Sequence, residues 1–198
     1  MPIDPDSLDP DPLRAFEQWL LEATEAGEPM PTAFALATSD AAEGPSVRFL
    51  LMRGLGPDGL RFYTNRESRK GRDLSTNPRA SAAFWWPALN RQVRMAGPVH
   101  RLSDEESRAY WSSRPRGSQL AASASAQGRE IASREELEAR VADVADRHPG
   151  DVPLPAFWGG YRLVPEVVEL WESGTDRLHD RVEYRRTEGG WVRRRLQP

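Results

Sequence analysis

Short apolar and β-branched segments, separated by compact turn signals, recur along most of this chain, and that spacing limits its fold more than any other feature. Thr32 to Thr38, Val47 to Arg53, Leu60 to Thr64, Ala80 to Trp86 and Gln92 to Val99 each have strand character, and Gly56-Pro57-Asp58-Gly59 places a turn between the second and third. The pattern returns in Tyr161–Val164, Val167–Trp171, Arg181–Arg186 and Trp191–Leu196, with Glu188-Gly189-Gly190 as a hairpin turn. Helices interrupt these runs without alternating with them. Asp11 caps one that starts at Pro12, buries Leu13, Phe16, Leu20 and Ala23 and ends by Gly27. Ser68 caps a short helix ending near Asn77-Pro78, while Ser103 with Glu106 and Ser133 with Glu136 have capping-box spacing. Gly117–Arg129, rich in Ala and Ser, reads equally as helix or loop. The expected class is α+β, an antiparallel β-barrel with flanking helices. Residues 11–198 form one domain behind a flexible acidic leader, residues 1–10.

Charge and composition narrow the function. Charged residues are 29% of the chain, yet the formal net charge is only −3, so no global basic field draws in nucleic acid or an anionic membrane and any anion site must be local. With no cysteine there is no disulfide framework, thiolate metal site or thiol nucleophile. No metal site is expected either, because no H-x-x-x-H or D-x-D array occurs. No apolar run approaches the roughly 18 residues of a membrane span, so a cytoplasmic location is the expectation.

Three clusters carry chemistry. Tyr63-Thr64-Asn65-Arg66-Glu67-Ser68-Arg69-Lys70 sets hydroxyls and cations between a strand end and a helix start, where phosphate binds well. Upstream, Arg48 and Arg53 fall on opposite faces of one strand if simple alternation holds. Tyr110-Trp111-Ser112-Ser113-Arg114-Pro115-Arg116-Gly117-Ser118 gathers hydroxyl and guanidinium donors where Pro115 stops a helix. Trp171 leads into Arg177-Leu178-His179-Asp180-Arg181. On an extended segment those two arginines point to the same side as the histidine, an arrangement that calls for an anion or an electron-rich ring. His100, after a strand, and His148, in a helix-ending loop, have ordinary structural settings, and most of the seven tryptophans fall at core or interface positions.

In order and spacing these clusters, with Arg91-Gln92-Val93, Pro153-Leu154-Pro155 and Phe157-Trp158-Gly159-Gly160, resemble the pyridoxamine 5′-phosphate oxidase family from about Asp11 to Pro198. The resemblance implies an FMN-binding split β-barrel and a homodimer with FMN at the subunit interface, each flavin approached by both chains. It assigns Arg48, Tyr63, Thr64, Arg69, Lys70, Gln92, Gln127, Trp171 and Arg181 to FMN. Arg53, Tyr110, Arg114 and Ser118 go to the substrate phosphate, and Arg177 and His179 to the pyridine ring as the catalytic pair. The implied reaction takes pyridoxamine or pyridoxine 5′-phosphate to pyridoxal 5′-phosphate, with O2 as acceptor and H2O2 as product.

The chain departs from the family pattern at Arg53, where a lysine is common, at Gly128, where a serine follows the flavin-contacting glutamine, and at Met30, where an acid is common. The basic N-terminal segment is also replaced by an acidic one. Two other readings therefore stand beside the first: an oxidase of a dihydro-aromatic metabolite, like the phenazine-biosynthesis relatives, and a non-catalytic flavin or pyridoxal-phosphate binding protein.

Overall fold

In a computed structural model, which describes residues 3–198, ten strands and five α-helices are present. The strands are β1 (Ala33–Asp40), β2 (Gly44–Leu51), β3 (Gly54–Gly56), β4 (Gly59–Asn65), β5 (Arg79–Trp86), β6 (Arg91–Arg101), β7 (Trp158–Leu163), β8 (Val167–Glu172), β9 (Asp180–Thr187) and β10 (Gly190–Arg195). The helices are α1 (Pro12–Glu25), α2 (Arg69–Thr76), α3 (Asp104–Ser113), α4 (Arg116–Ala124) and α5 (Arg134–Arg147).

All ladders are antiparallel and run β10-β9-β8-β6-β5-β1-β2, with β7, β4 and β3 branching from β6. The α+β antiparallel class is as expected, and among the described residues the path of paired strands does not return on itself. Strand β2 ends at Leu51; the Met52 N–H still follows the β1 register by donating to the Thr32 carbonyl, and the Arg53 N–H donates to that of Arg61 in β4. β6 holds the two halves together. Arg91–Ala96 pairs with β8, Val99–Arg101 with β7, and the change of partner falls at Gly97-Pro98. A Cβ on Gly97 would stand 2.1 Å from the Val164 carbonyl oxygen, so this crossover admits only glycine.

The main core is a chain of aromatic contacts. Phe16 of α1 meets Phe84 at 4.8 Å between centroids, Phe84 meets Phe34 at 5.4 Å, and Phe34 meets Phe62 at 6.1 Å. A second core, with Trp111, Leu120, Val144, Val152 and Trp158, lies beneath α3–α5. Local signals behave largely as physics requires. Asp11 accepts from Leu13 N–H with Pro12 at the first helical position, and Ser103 and Glu106 make a complete capping box. Ser133 caps Glu136 N–H, but Glu136 reaches back to Ala132 N–H, one residue off the box. Ser68 occupies the N-cap of α2 without capping it, because its hydroxyl donates to Asn65 O. His100 lies within β6, and the ambiguous Gly117–Arg129 stretch is helical to Ala124 as α4. Of the acidic leader, Met1 and Pro2 lie outside the described residues. Pro5–Ser7 form a 3-10 turn capped by Asp4, and Arg193 and Arg195 donate to the carbonyls of Leu8 and Ile3 at 2.8 and 2.5 Å.

Candidate active site

Between the end of β2, β4 and helices α3 and α4 lies a cavity of about 560 Å³. One wall is aromatic. Alternation along β4 turns Tyr63 away from the core residue Phe62, and its ring stacks on Tyr110 at 3.8 Å and on Trp158 at 5.5 Å. Opposite Tyr63 in the ladder stands Gly160, where a Cβ would come within 2.7 Å of the tyrosine ring.

Arg114 closes α3, which cannot continue into Pro115. Its guanidinium lies 4.8 Å from the Trp158 ring centroid and 5.3 Å from that of Trp111, and Nη2 donates to Ser118 O at 3.2 Å. Nη1 is buried with no partner among the described residues. Burial lowers the pKa of Arg114; the Arg53 cation adds to that fall and Tyr110 opposes it. Arg53, Tyr110, Arg114 and Ser118, the four residues assigned to a phosphate, thus all line one cavity. Alternation from Arg48 to Arg53 does not apply: Arg48 is inside β2, whereas Arg53 lies beyond its end and turns into the cavity.

Thr64 and Gln127 line the same cavity and join it to a cationic nest at the start of α2. Lys70, only 6% exposed, donates to Ser68 Oγ at 3.1 Å and to Thr64 Oγ1 and Gln127 Oε1, each at 3.3 Å. Burial, with help from the Arg48 cation, depresses its pKa to about 8, against a smaller opposing effect of Asp73. Arg48 donates to Thr38 Oγ1 at 2.8 Å, to Leu36 O at 3.0 Å and to Ser46 Oγ. Arg69 donates to Glu43 O at 2.8 Å.

The remaining assigned residues form a separate group across β6, β8 and β9, away from this cavity. Gln92 pairs in register with Trp171, and Trp171 with Arg181. Arg181 holds Glu169 through two hydrogen bonds of 2.8 and 3.1 Å. Burial pushes the Glu169 pKa upward, but the bonds from Arg181 and Arg94 outweigh it and hold the carboxyl below its ordinary value. The His179 ring lies 4.7 Å from that of Trp171, and its Nδ1 accepts Gly174 N–H at 3.2 Å. The segment is not extended, as the sequence suggested. Thr175–Arg177 is a 3-10 turn with Asp176 and Arg177 at φ 53° and 64°, which leaves Arg177 and Leu178 exposed.

Residues 20–148 match the family described as Pyridoxamine 5′-phosphate oxidase, and residues 158–198 match the Pyridoxine 5′-phosphate oxidase C-terminal dimerisation region. The chain belongs to the pyridoxamine 5′-phosphate oxidase family. It is 50% identical over 199 residues to the pyridoxine/pyridoxamine 5′-phosphate oxidase of Anaeromyxobacter dehalogenans, covering 100% of both chains. Among solved structures it is similar to PhzG from Burkholderia lata 383 in complex with tetrahydrophenazine-1-carboxylic acid, with TM-score 0.93, 32% identity and coverage of 99% of this chain and 98% of that one. A pyridoxamine 5′-phosphate oxidase-related, FMN-binding protein from Nostoc punctiforme shares the fold with TM-score 0.77 at 21% identity, over 95% of this chain and 98% of the other.

In this pyridoxamine 5′-phosphate oxidase family chain, three site features have roles that the sequence does not announce. Trp158 lies against the Arg114 guanidinium. Ser125 adds a hydroxyl to the cavity wall that Ser113 of the second cluster also lines. Asp73, 2% exposed, sits among Thr38, Ser46, Arg48 and Arg69, and its only sequence signal is the four-residue spacing from Arg69.

Proposed function

We propose that this chain is an FMN-dependent oxidase that converts pyridoxamine 5′-phosphate or pyridoxine 5′-phosphate to pyridoxal 5′-phosphate, with O2 as acceptor. One observation carries the reading: Arg53 and Arg114 face a single aromatic-walled cavity, with an Arg114 nitrogen buried and unpartnered among the described residues. Two guanidinium groups on one cavity suit a phosphate dianion, Tyr110 and Ser118 add hydroxyl donors, and stacked rings suit a planar heterocycle. Arg53 presents a planar fork where the family commonly has a compact ammonium, which keeps the charge and changes the geometry of contact.

The donor set beside the cavity fits FMN. Arg48, Arg69 and Lys70 surround one buried carboxylate, and the depressed pKa of Lys70 marks a cation whose burial the protein alone does not offset. These residues with Thr64 would hold the cofactor phosphate, and Tyr63, Gln92, Gln127, Trp171 and Arg181 the rest. When bound, FMN supplies the two-electron acceptor for the substrate's C4′ hydride and passes the electrons to O2. Pyridoxamine 5′-phosphate consumes O2 and water and gives the aldehyde, ammonia and H2O2; pyridoxine 5′-phosphate consumes O2 and gives the aldehyde and H2O2. Because His179 Nδ1 accepts a backbone N–H, Nε2 carries the proton of the neutral ring and is the donor left for a substrate oxygen. Arg177 adds a cation beside it, and the pair orient the ring without a covalent step.

Homodimerisation follows from the same reading. Trp171, Arg177, His179 and Arg181 lie apart from their own chain's cavity and within the stretch that matches the dimerisation region, so a partner chain would carry them to a shared flavin. The split-barrel form and a cytoplasmic location belong to this proposal; no helix among the described residues is long and apolar enough to cross a membrane. A second reading, oxidation of a dihydro-aromatic acid, draws support from the likeness to PhzG. One carboxylate needs one arginine, however, and the paired arginines here favour phosphate.

Peroxide release with pyridoxamine 5′-phosphate, compared with unphosphorylated pyridoxamine, tests the assignment. We expect kcat/KM to favour the phosphate ester by about 100-fold or more, since each charged hydrogen bond contributes on the order of 1.5–3 kcal/mol. Equal values would count against a phosphate site, and flavin binding without turnover would point to the non-catalytic reading.

A further inference from the structure

We propose that Asp73 is a positioning residue that sets the cationic nest of α2 and β2 for a phosphate, acting through Thr38, Ser46 and Arg48. The inference rests on the flavin reading above and deepens it.

Asp73 lies on α2, one turn after Arg69 and Lys70, and its carboxylate is almost entirely buried. Burying a carboxylate is costly unless hydrogen bonds and cations compensate it, so its partners are informative. Oδ2 accepts from Thr38 Oγ1 at 2.5 Å and from Ser46 Oγ at 3.1 Å. Each hydroxyl has one proton, and once that proton points at Asp73 only lone pairs face the other way. Arg48 fills both: Nη1 donates to Thr38 Oγ1 at 2.8 Å and Nη2 to Ser46 Oγ. A carboxylate on one helix thereby dictates, through two side chains on β1 and β2, how a guanidinium on β2 is held.

The direct ion pairs are longer. Asp73 is 3.9 Å from Arg48 Nη2 and 4.0 Å from Arg69 Nε, and that Nε is buried without a hydrogen bond among the described residues. The carboxylate therefore does not use up the donors of either arginine. It balances part of the charge of three clustered cations while leaving N–H groups free for a ligand. Asp73 and the exposed Glu43, whose carboxylate lies 3.5 Å from Arg69 Nε, face the three cations Arg48, Arg69 and Lys70, so the nest keeps an excess of positive charge that a ligand phosphate complements.

The test compares FMN with riboflavin, which carries the same ring and no phosphate, by quenching of flavin fluorescence on the purified apoprotein. For the unaltered protein we expect much tighter binding of FMN. Asp73→Asn is expected to weaken FMN by about tenfold or more, the scale of a lost charge-assisted bond, and to leave riboflavin within about twofold. Ser46→Ala, which removes one link and keeps the carboxylate, should give a smaller loss confined to FMN. Equal loss of both flavins in Asp73→Asn, with Ser46→Ala unchanged, would make Asp73 a structural residue and overturn the proposal. Unchanged or tighter FMN binding would overturn it as well, because the carboxylate would then be competing with the phosphate. If the unaltered protein bound neither flavin, the flavin reading itself would fall, a result distinct from either.

Discussion

Lys70 is where the electrostatics of the site become measurable. Buried and near a pKa of about 8 against an ordinary 10.5, it is charged below that point and loses its proton as pH rises through it. A ligand phosphate favours the charged form, so FMN affinity should be flat between about pH 7, where the phosphate is a dianion, and pH 8, and fall above it by at most about tenfold per pH unit. A pH series of FMN dissociation constants checks this, and Lys70→Met should flatten the profile. For the apoprotein the sign reverses. The unfolded chain keeps the proton between about 8 and 10.5 while the folded chain releases it, so this residue's contribution to stability rises with pH over that window. Two substitutions separate the other roles. Arg114→Ala should raise KM for the phosphate ester by roughly 10- to 100-fold and spare FMN binding. Arg177→Ala should cut kcat/KM strongly with flavin still bound; loss of flavin would remove Arg177 from the substrate. Arg114, Tyr110 and Ser118 were legible in the sequence because one helix end and the next helix start bring neighbours together. Asp73 was not, because its partner Thr38 is 35 residues away and nothing local to either marks the contact.

At the scale of elements, the strands and helix starts followed from turn chemistry, alternation and caps, and the misreadings have identifiable causes. Ser68 has the right residue type for a cap, but its hydroxyl is drawn to Asn65 O and to Lys70. The Thr175–Arg177 turn holds two non-glycine residues at positive φ, a conformation that no local propensity announces. Its closure brings the two ends of the turn together, for at Gly174 a Cβ would stand 1.9 Å from Leu178 O. α2 is the element on which the cationic nest depends, and it packs with comparable tightness. A Cβ on Gly71 would fall 2.1 Å from Arg66 O, a backbone atom that cannot swing aside. Gly71→Ala should therefore displace α2, cost on the order of 2 kcal/mol, lower Tm by about 4–8 °C and weaken FMN together with stability. Normal FMN affinity in this variant would show that the start of α2 does not hold the phosphate.

For the whole molecule, the two groups of assigned residues are separate within one chain, and the proposal brings them together by association of two chains. β2 and β5 present the face that suits this, with Val47, Phe49 and Trp85 exposed by 67%, 77% and 52%. Phe49→Glu should shift the mass in light scattering from dimer to monomer and lower flavin occupancy with it; a monomeric variant with full occupancy would refute a shared site. Such an arrangement was open to the sequence only through family resemblance, because alternation marks a face as apolar without saying what covers it. The most direct measurement of the central claim is anaerobic addition of pyridoxamine 5′-phosphate or pyridoxine 5′-phosphate to the yellow holoenzyme, followed at the flavin band near ~450 nm. The expected result is bleaching by both esters, with colour returning and H2O2 appearing on aeration. A flavin band that stays unchanged with either ester would contradict the vitamin B6 assignment, and bleaching by a dihydrophenazine acid instead would establish the second reading.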